Sequence, residues 1–490
     1  MAQGKLESLA FASALEAARA IRSNEVSSVE LTRHCFARIS KYNKPINAMV
    51  TLTEEEAIAS AQAADEAHAR GQWWGPFHGV PCTVKDTFEM KGVRTTAGSI
   101  DLSDYRPTTD APLVERLRHA GAVLVGKTNV PLFAADMQTF NAVFGTTNNP
   151  WDLTKTPGGS TGGGAAALAA GLGYLALGSD IGGSIRNPAS FCGVYGHKPT
   201  MDILPTAGEL ASLPDPLPPA PDFLSVTGPL ARSATDLRAA LEVLGGPSGH
   251  DAVAYRWSLP QPRGSRPAEF RVNFVLDHPL CPVDPEVQTQ IKSAVDALEK
   301  AGARVTEGWP EGIDPVEQFR SYFYILMLAY ASEPDELTAP QIEMFSQAPD
   351  DNIMKLYSKA HTDPYYRVSE AFRAQRDARN RWQAFFQSCD AFILPTSFST
   401  AFPHVQTEPL PARVIDAPHG PRPYFDHLFW ISFATLAGLP ATVAPVGRTN
   451  TGLPVGAQIM GPYLEDATSI ELAACLAELL GGFVPPPGYA

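Results

Sequence analysis

Apolar positions near the start of the chain recur at roughly helical spacing. Val29, Leu31, Cys35, Phe36 and Ile39 form one stripe behind Ser27 and Glu30. That pair has the capping-box spacing, in which a hydroxyl and a carboxylate satisfy the free N–H groups of a helix start. Ser13 and Glu16 repeat it upstream. Residues 54–70 read as an Ala-rich polar helix stopped by Gly71. The texture then changes. Residues 77–87 mix glycine, proline and β-branched side chains, as a strand entering a functional loop does. Residues 111–119 are helix-like. Residues 122–126 (AVLVG) are continuously apolar, as a strand buried on both faces should be. Residues 162–178 are apolar, small and glycine-rich, which predicts a buried, close-packed helix, with a further strand over 174–177.

The second half continues the alternation. Five prolines crowd residues 214–221, a surface loop. A second loop spans 259–267, a strand 270–276, and a helix 285–302 with Val287, Ile291, Val295 and Leu298 inward and a glycine stop. Residues 322–366 are aromatic-rich and without a readable period. They are expected to be irregular and to roof a pocket, with the aromatics of 322–330 lining it or packing in the core. Strands are expected at 391–395, 441–446 and 455–460, and a loose tail at 485–490. Strands alternating with helices imply an α/β fold, a sheet covered on both sides.

Composition narrows the partners. The chain has 490 residues, 44% hydrophobic, and a net charge of −14. No Lys/Arg run offers a footprint for nucleic acid or an anionic membrane. No stretch reaches the roughly 20 apolar residues of a membrane helix, and the N-terminus lacks a secretory pattern. The six cysteines are scattered without a CxxC pair, which reads as reduced thiols in a cytoplasm. Cys192 reads as a packing thiol. The histidines form no ligand-spaced cluster, so neither metal nor cofactor is expected.

The chemistry concentrates between residues 156 and 200. Ser160 lies in GGSTG and Ser184 in GSDIGGSIR. Glycines let several N–H groups turn the same way. Such a nest can hold a tetrahedral oxyanion, each donor being worth about 3 kcal/mol. A tight turn with a hydrogen-bonded serine is the plainer alternative. A phosphate loop is disfavoured, because no GxxxxGK[ST] lysine follows. Ser160 also fits GxSxG formally, but that elbow needs a preceding strand, and NNPWDLTKTP reads as loop. Lys85 is embedded in the strand-like VPCTVKD. A free lysine is about one part in a thousand neutral near pH 7. Burial can lower its pKa by several units and turn it into a base for serine. Asp180 and Arg186 flank the nest and read as structural.

These residues resemble the amidase signature family. The similarity is carried by GGSTGG, GSDIGGSIRNPA and CGVYGHKPT in order, by GPFHGVPCTVKD upstream, and by AGLPATVAPVG and GLPVGAQIMGPYLED near the end. It spans nearly the whole chain and is weakest between about 205 and 390. The resemblance implies a single α/β/α domain over 1–490, a large mixed sheet with helices on both faces. Within it, 1–70 would be helical, 71–245 the core with the motifs, 246–390 the variable pocket region and 391–490 the rest of the core. By resemblance Ser184 is the nucleophile, Ser160 a bridging serine after a cis peptide bond, and Lys85 the base. Ile181, Gly182, Gly183 and Ser184 supply oxyanion N–H groups, and Ala134, Ala135, Asp136 and Met137 lie near the acyl pocket. The implied reaction is cofactor-free cleavage of a small-molecule amide or ester, with aryl amides and carbamates as further substrates. A homodimer is implied by the resemblance and by nothing in the residues. Thr161 stands where the family usually has a second serine, and His197 where it usually has an apolar residue. The alternatives are a Ser-His-Asp esterase built on Ser160, the amidase-like subunit of a transamidase complex, and a non-catalytic binding protein.

Overall fold

The computed structural model describes residues 2–210, 223–331 and 338–490. Eleven strands of these residues form one mixed sheet. They are β1 (Met49–Leu52), β2 (Pro81–Lys85), β3 (Val123–Thr128), β4 (Leu175–Asp180), β5 (Tyr195–Lys198), β6 (Val226–Ala231), β7 (Arg271–Phe274), β8 (Arg304–Glu307), β9 (Ala391–Pro395), β10 (Ala441–Arg448) and β11 (Pro454–Met460). Across the sheet the order is β1-β3-β2-β4-β6-β5-β10-β11-β9-β7-β8. β2 runs parallel to both neighbours, with Lys85 opposite Thr128 and Val84 opposite Leu177. Helices cover both faces. Within β3, Val123 and Val125 join one apolar cluster and Leu124 the other. A strand buried on both sides has no polar face to alternate with, which explains its unbroken apolar run.

Both predicted capping boxes form, at Ser13/Glu16 and Ser27/Glu30. Three expectations are corrected. In the apolar stretch over 162–178 the expected strand at 174–177 forms, within β4, but the expected helix stops well short of it. A helix occupies Gly162–Ala169, Gly171 takes a φ of +70° that favours glycine, and the chain re-enters the sheet as β4. The region 322–366 is helical in its described part: Pro315–Ala329, Thr338–Ser346, Lys355–Thr362 and Tyr365–Phe385. The tail is anchored, since Arg38 donates to the Tyr489 carbonyl at 2.8 Å and Tyr42 packs on the Tyr489 ring. The proline-rich loop over 214–221 lies outside the described residues. Among the described residues no helix is long and apolar enough to cross a membrane.

Candidate active site

Lys85 is the last residue of β2 and Asp180 the last of β4. The strands are parallel neighbours, so both residues emerge at the same sheet edge, where open α/β sheets place their ligands. Lys85 is fully buried. Its Nζ donates to Ser160 Oγ at 2.8 Å and to Ser179 Oγ at 2.6 Å. Glu209 Oε1 lies 4.0 Å away. Burial pulls the amine from its ordinary 10.5 down to about 8, against the upward pull of Glu209 and then Asp180. At that value about one molecule in ten carries a neutral amine near pH 7. Lys127 and Lys198 are buried as well, but neither touches a serine. Lys127 donates to Phe88 O and Thr95 Oγ1, and Lys198 to Pro199 O.

Ser160 follows a cis Gly159–Ser160 peptide bond. The next residue joins the two serine loops. Thr161 N–H donates to the Ser184 carbonyl at 3.1 Å, and Thr161 Oγ1 to the Ser179 carbonyl at 3.3 Å. The hydroxyl at this position thus has a structural use that threonine meets. Ser184, Ile181 and Gly182 line a cavity of about 400 Å³, together with Ala134, Asp136 and Met137. Among the described residues Ser184 Oγ has no hydrogen-bond partner.

The turn between Asp180 and Arg186 is organised by one carboxylate. Asp180 Oδ1 accepts from Gly183 N–H and Oδ2 from Ile185 N–H, both at 3.0 Å. Gly183 has a φ of +85°. This corrects the expected donor set: the Gly183 N–H is committed to Asp180, while those of Ile181, Gly182 and Ser184 have no partner among the described residues. Arg186 uses all five of its N–H groups. Two go to Asp180, two to the Ile431 carbonyl and Gln458 Oε1, and one to Thr435 Oγ1. Burial favours the protonated form of Asp180, but the Arg186 guanidinium prevails and holds the carboxyl below its usual range.

The amidase family pattern matches residues 30–470. The chain belongs to the amidase family. A glutamyl-tRNA(Gln) amidotransferase subunit from Moorella thermoacetica is 33% identical over 491 residues, covering 95% of this chain and 96% of that one. A solved vestigial protein complex, described as revealing the origins of an s-triazine catabolic enzyme, matches at 30% identity. Its TM-score is 0.78, with 96% of this chain and 99% of that chain covered. The peptide amidase of Stenotrophomonas maltophilia matches at 26% identity and a TM-score of 0.74, covering 98% and 99%.

Two residues beside the candidate site escaped the sequence reading, Ser179 and Glu209. Ser179 is the second hydroxyl on Lys85. Glu209 lies in a stretch without a motif. The Tyr322 hydroxyl donates to the Ile181 carbonyl at 2.9 Å, behind the nest. Asp136 lines the cavity, but its carboxylate is already engaged: Tyr424 donates at 2.6 Å and Arg413 at 2.5 Å. His197 is buried, with its ring nitrogens on Thr442 Oγ1 (2.9 Å) and Asp466 Oδ1 (3.1 Å). Asp466 also accepts from Thr200. The imidazole therefore ties β5 to β10 and to the last helix, Asp466–Leu480. All six cysteines are free and buried, and burial pushes the Cys192 thiol up, which suits packing and not nucleophilic attack.

Proposed function

We propose that this amidase hydrolyses carboxylic amides through an acyl-enzyme on Ser184. Neutral Lys85 takes the Ser160 proton as Ser160 takes that of Ser184. The Ser184 Oγ–carbon bond forms, and the N–H groups of Ile181, Gly182 and Ser184 stabilise the oxyanion. The C–N bond breaks as Ser160 returns a proton to the departing amine. Water then adds to the acyl carbon, giving its proton to the same relay. The Oγ–carbon bond breaks, and the acid leaves as Ser184 is reprotonated. The observation that carries this reading is the buried 2.8 Å contact between Lys85 Nζ and Ser160 Oγ. It gives the serine a lysine partner where a Ser-His-Asp esterase needs a histidine. Esters, with better leaving groups, follow the same route, as do aryl amides and carbamates. Six reduced thiols fit a cytoplasmic setting.

A second reading is favoured by one observation, the 33% identity with a glutamyl-tRNA(Gln) amidotransferase subunit over nearly the full chain. On it, the chain would release ammonia from an amide for a partner protein. One experiment tests the shared chemistry. A fluorophosphonate probe should label Ser184, and the label should disappear in Ser184→Ala and fall sharply in Lys85→Ala. A label on Ser160 that survives Lys85→Ala would overturn the relay.

A further inference from the structure

We propose that the cavity beside Ser184 takes a bulky, uncharged apolar group on the acyl side of the amide, aryl or medium-chain alkyl, and rejects a free α-amino acid such as glutamine. The inference deepens the function proposed above and rests on it. At about 400 Å³ the cavity has the size of a small-ligand site. Met137, Leu326, Phe345 and Leu428 present carbon and sulfur to it, from the loop after β3, the two helices above, and the turn before the helix Phe429–Ala437.

Charge decides the substrate class. Asp136 is the one charged side chain among the described lining residues. Its Oδ1 accepts from the Tyr424 hydroxyl and the Gln138 N–H, and its Oδ2 from Arg413. The Arg413–Asp136 pair is buried on both sides, with side-chain exposures of 7% and 8%. Asp136 is therefore spent on holding the wall. No lysine, arginine or histidine lines the cavity among the described residues, and residues 211–222 and 332–337 contain none. Glutamine would bring an α-carboxylate against this wall with no cation to meet it. An unpaired charge taken from water costs far more than apolar contact returns. An aryl or alkyl group loses only its hydration, so each methylene it buries improves binding about fourfold.

The test compares acetanilide, butyranilide, hexananilide and L-glutamine on the full chain. The expected result is a kcat/KM that climbs about fourfold per methylene to hexanoyl. Ammonia release from glutamine should stay below about one hundredth of the hexanoyl rate constant. A flat or falling series, or glutamine matching the anilides, overturns the proposal. Protection of Ser184 from a fluorophosphonate probe gives a second readout that needs no turnover. Hexananilide should protect and glutamine should not; the reverse overturns the pocket assignment while leaving the nucleophile in place. Absence of any Ser184 label instead refutes the underlying hydrolase reading, and the pocket proposal falls with it.

Discussion

Lys85 Nζ and Glu209 Oε1 lie 4.0 Å apart, the lysine sealed from water and the carboxylate nearly so. Burial of the lysine, opposed by this carboxylate, governs the pH at which the proposed base becomes competent. Burial lowers the lysine to about 8, and the Glu209 and Asp180 carboxylates oppose that fall by favouring the charged amine. The neutral amine is the base, so kcat/KM should rise with pH through about 8 and level off above it. Glu209→Gln removes one of the two carboxylates that hold the proton. Its rising limb should move to lower pH, with Asp180 still facing Lys85. A limb that stays put or moves upward, measured with a p-nitrophenyl ester, would sink the coupling.

Lys85→Ala should lower kcat/KM by about 100- to 10,000-fold, the usual contribution of a positioned general base. Lys85→Arg should not recover it, because a guanidinium keeps its proton. Steady-state rates for the wild type and both variants decide this. Recovery by arginine would mean that the charge at this position matters and proton transfer does not.

Tyr322→Phe removes the donor to the Ile181 carbonyl. Ile181 belongs to the proposed oxyanion nest, so kcat should fall by several-fold with KM nearly unchanged. The accompanying loss of stability should be about 1 kcal/mol, that of a single buried hydrogen bond. A change confined to KM would place Tyr322 in substrate binding instead.

Asp180→Ala leaves the buried Arg186 guanidinium without its counter-charge. Breaking a buried pair from one side typically costs about 3–5 kcal/mol. The urea midpoint should drop accordingly, and the Ser184 label should be lost even under conditions where the variant remains folded. A variant of wild-type stability would show that the carboxylate does not carry the turn.

The three residues Lys85, Ser160 and Ser184 were legible because each sits in a local pattern that ordinary packing does not need: a lysine in an apolar strand and two serines among glycines. Glu209 was not, and Tyr322 was legible only as one of the pocket or core aromatics of 322–330, not as the donor behind the nest. They reach the site from stretches that have no local motif, and only the tertiary fold brings them within range. The helix Pro315–Ala329 was hidden for a different reason. Residues 322–327 along it are all buried, so that stretch shows no polar face and no amphipathic period. In the structure it starts at an Asp314 cap, whose carboxylate accepts from the Val316 and Glu317 N–H groups, with Pro315 as the first helical residue. The anchored tail depends on Arg38, hundreds of residues away, a contact no local pattern encodes. In the run over 162–178 the strand was legible and the end of the helix was not, because small apolar residues suit a buried helix and a buried strand alike and only Gly171 marks the break.

Arg186 takes its acceptors from Asp180 in its own turn, from Ile431 and Thr435, and from Gln458. All but the first arrive late in synthesis. A ribosome that has released residues 1–400 has already delivered Lys85, Ser160 and Ser184, yet the Ile431, Thr435 and Gln458 acceptors of Arg186 do not yet exist. The nascent chain thus carries its reactive groups in an unfinished turn. The turn that carries Ser184 is therefore closed by acceptors 245 to 272 residues further along the chain, and its completion waits on the folding of that later segment.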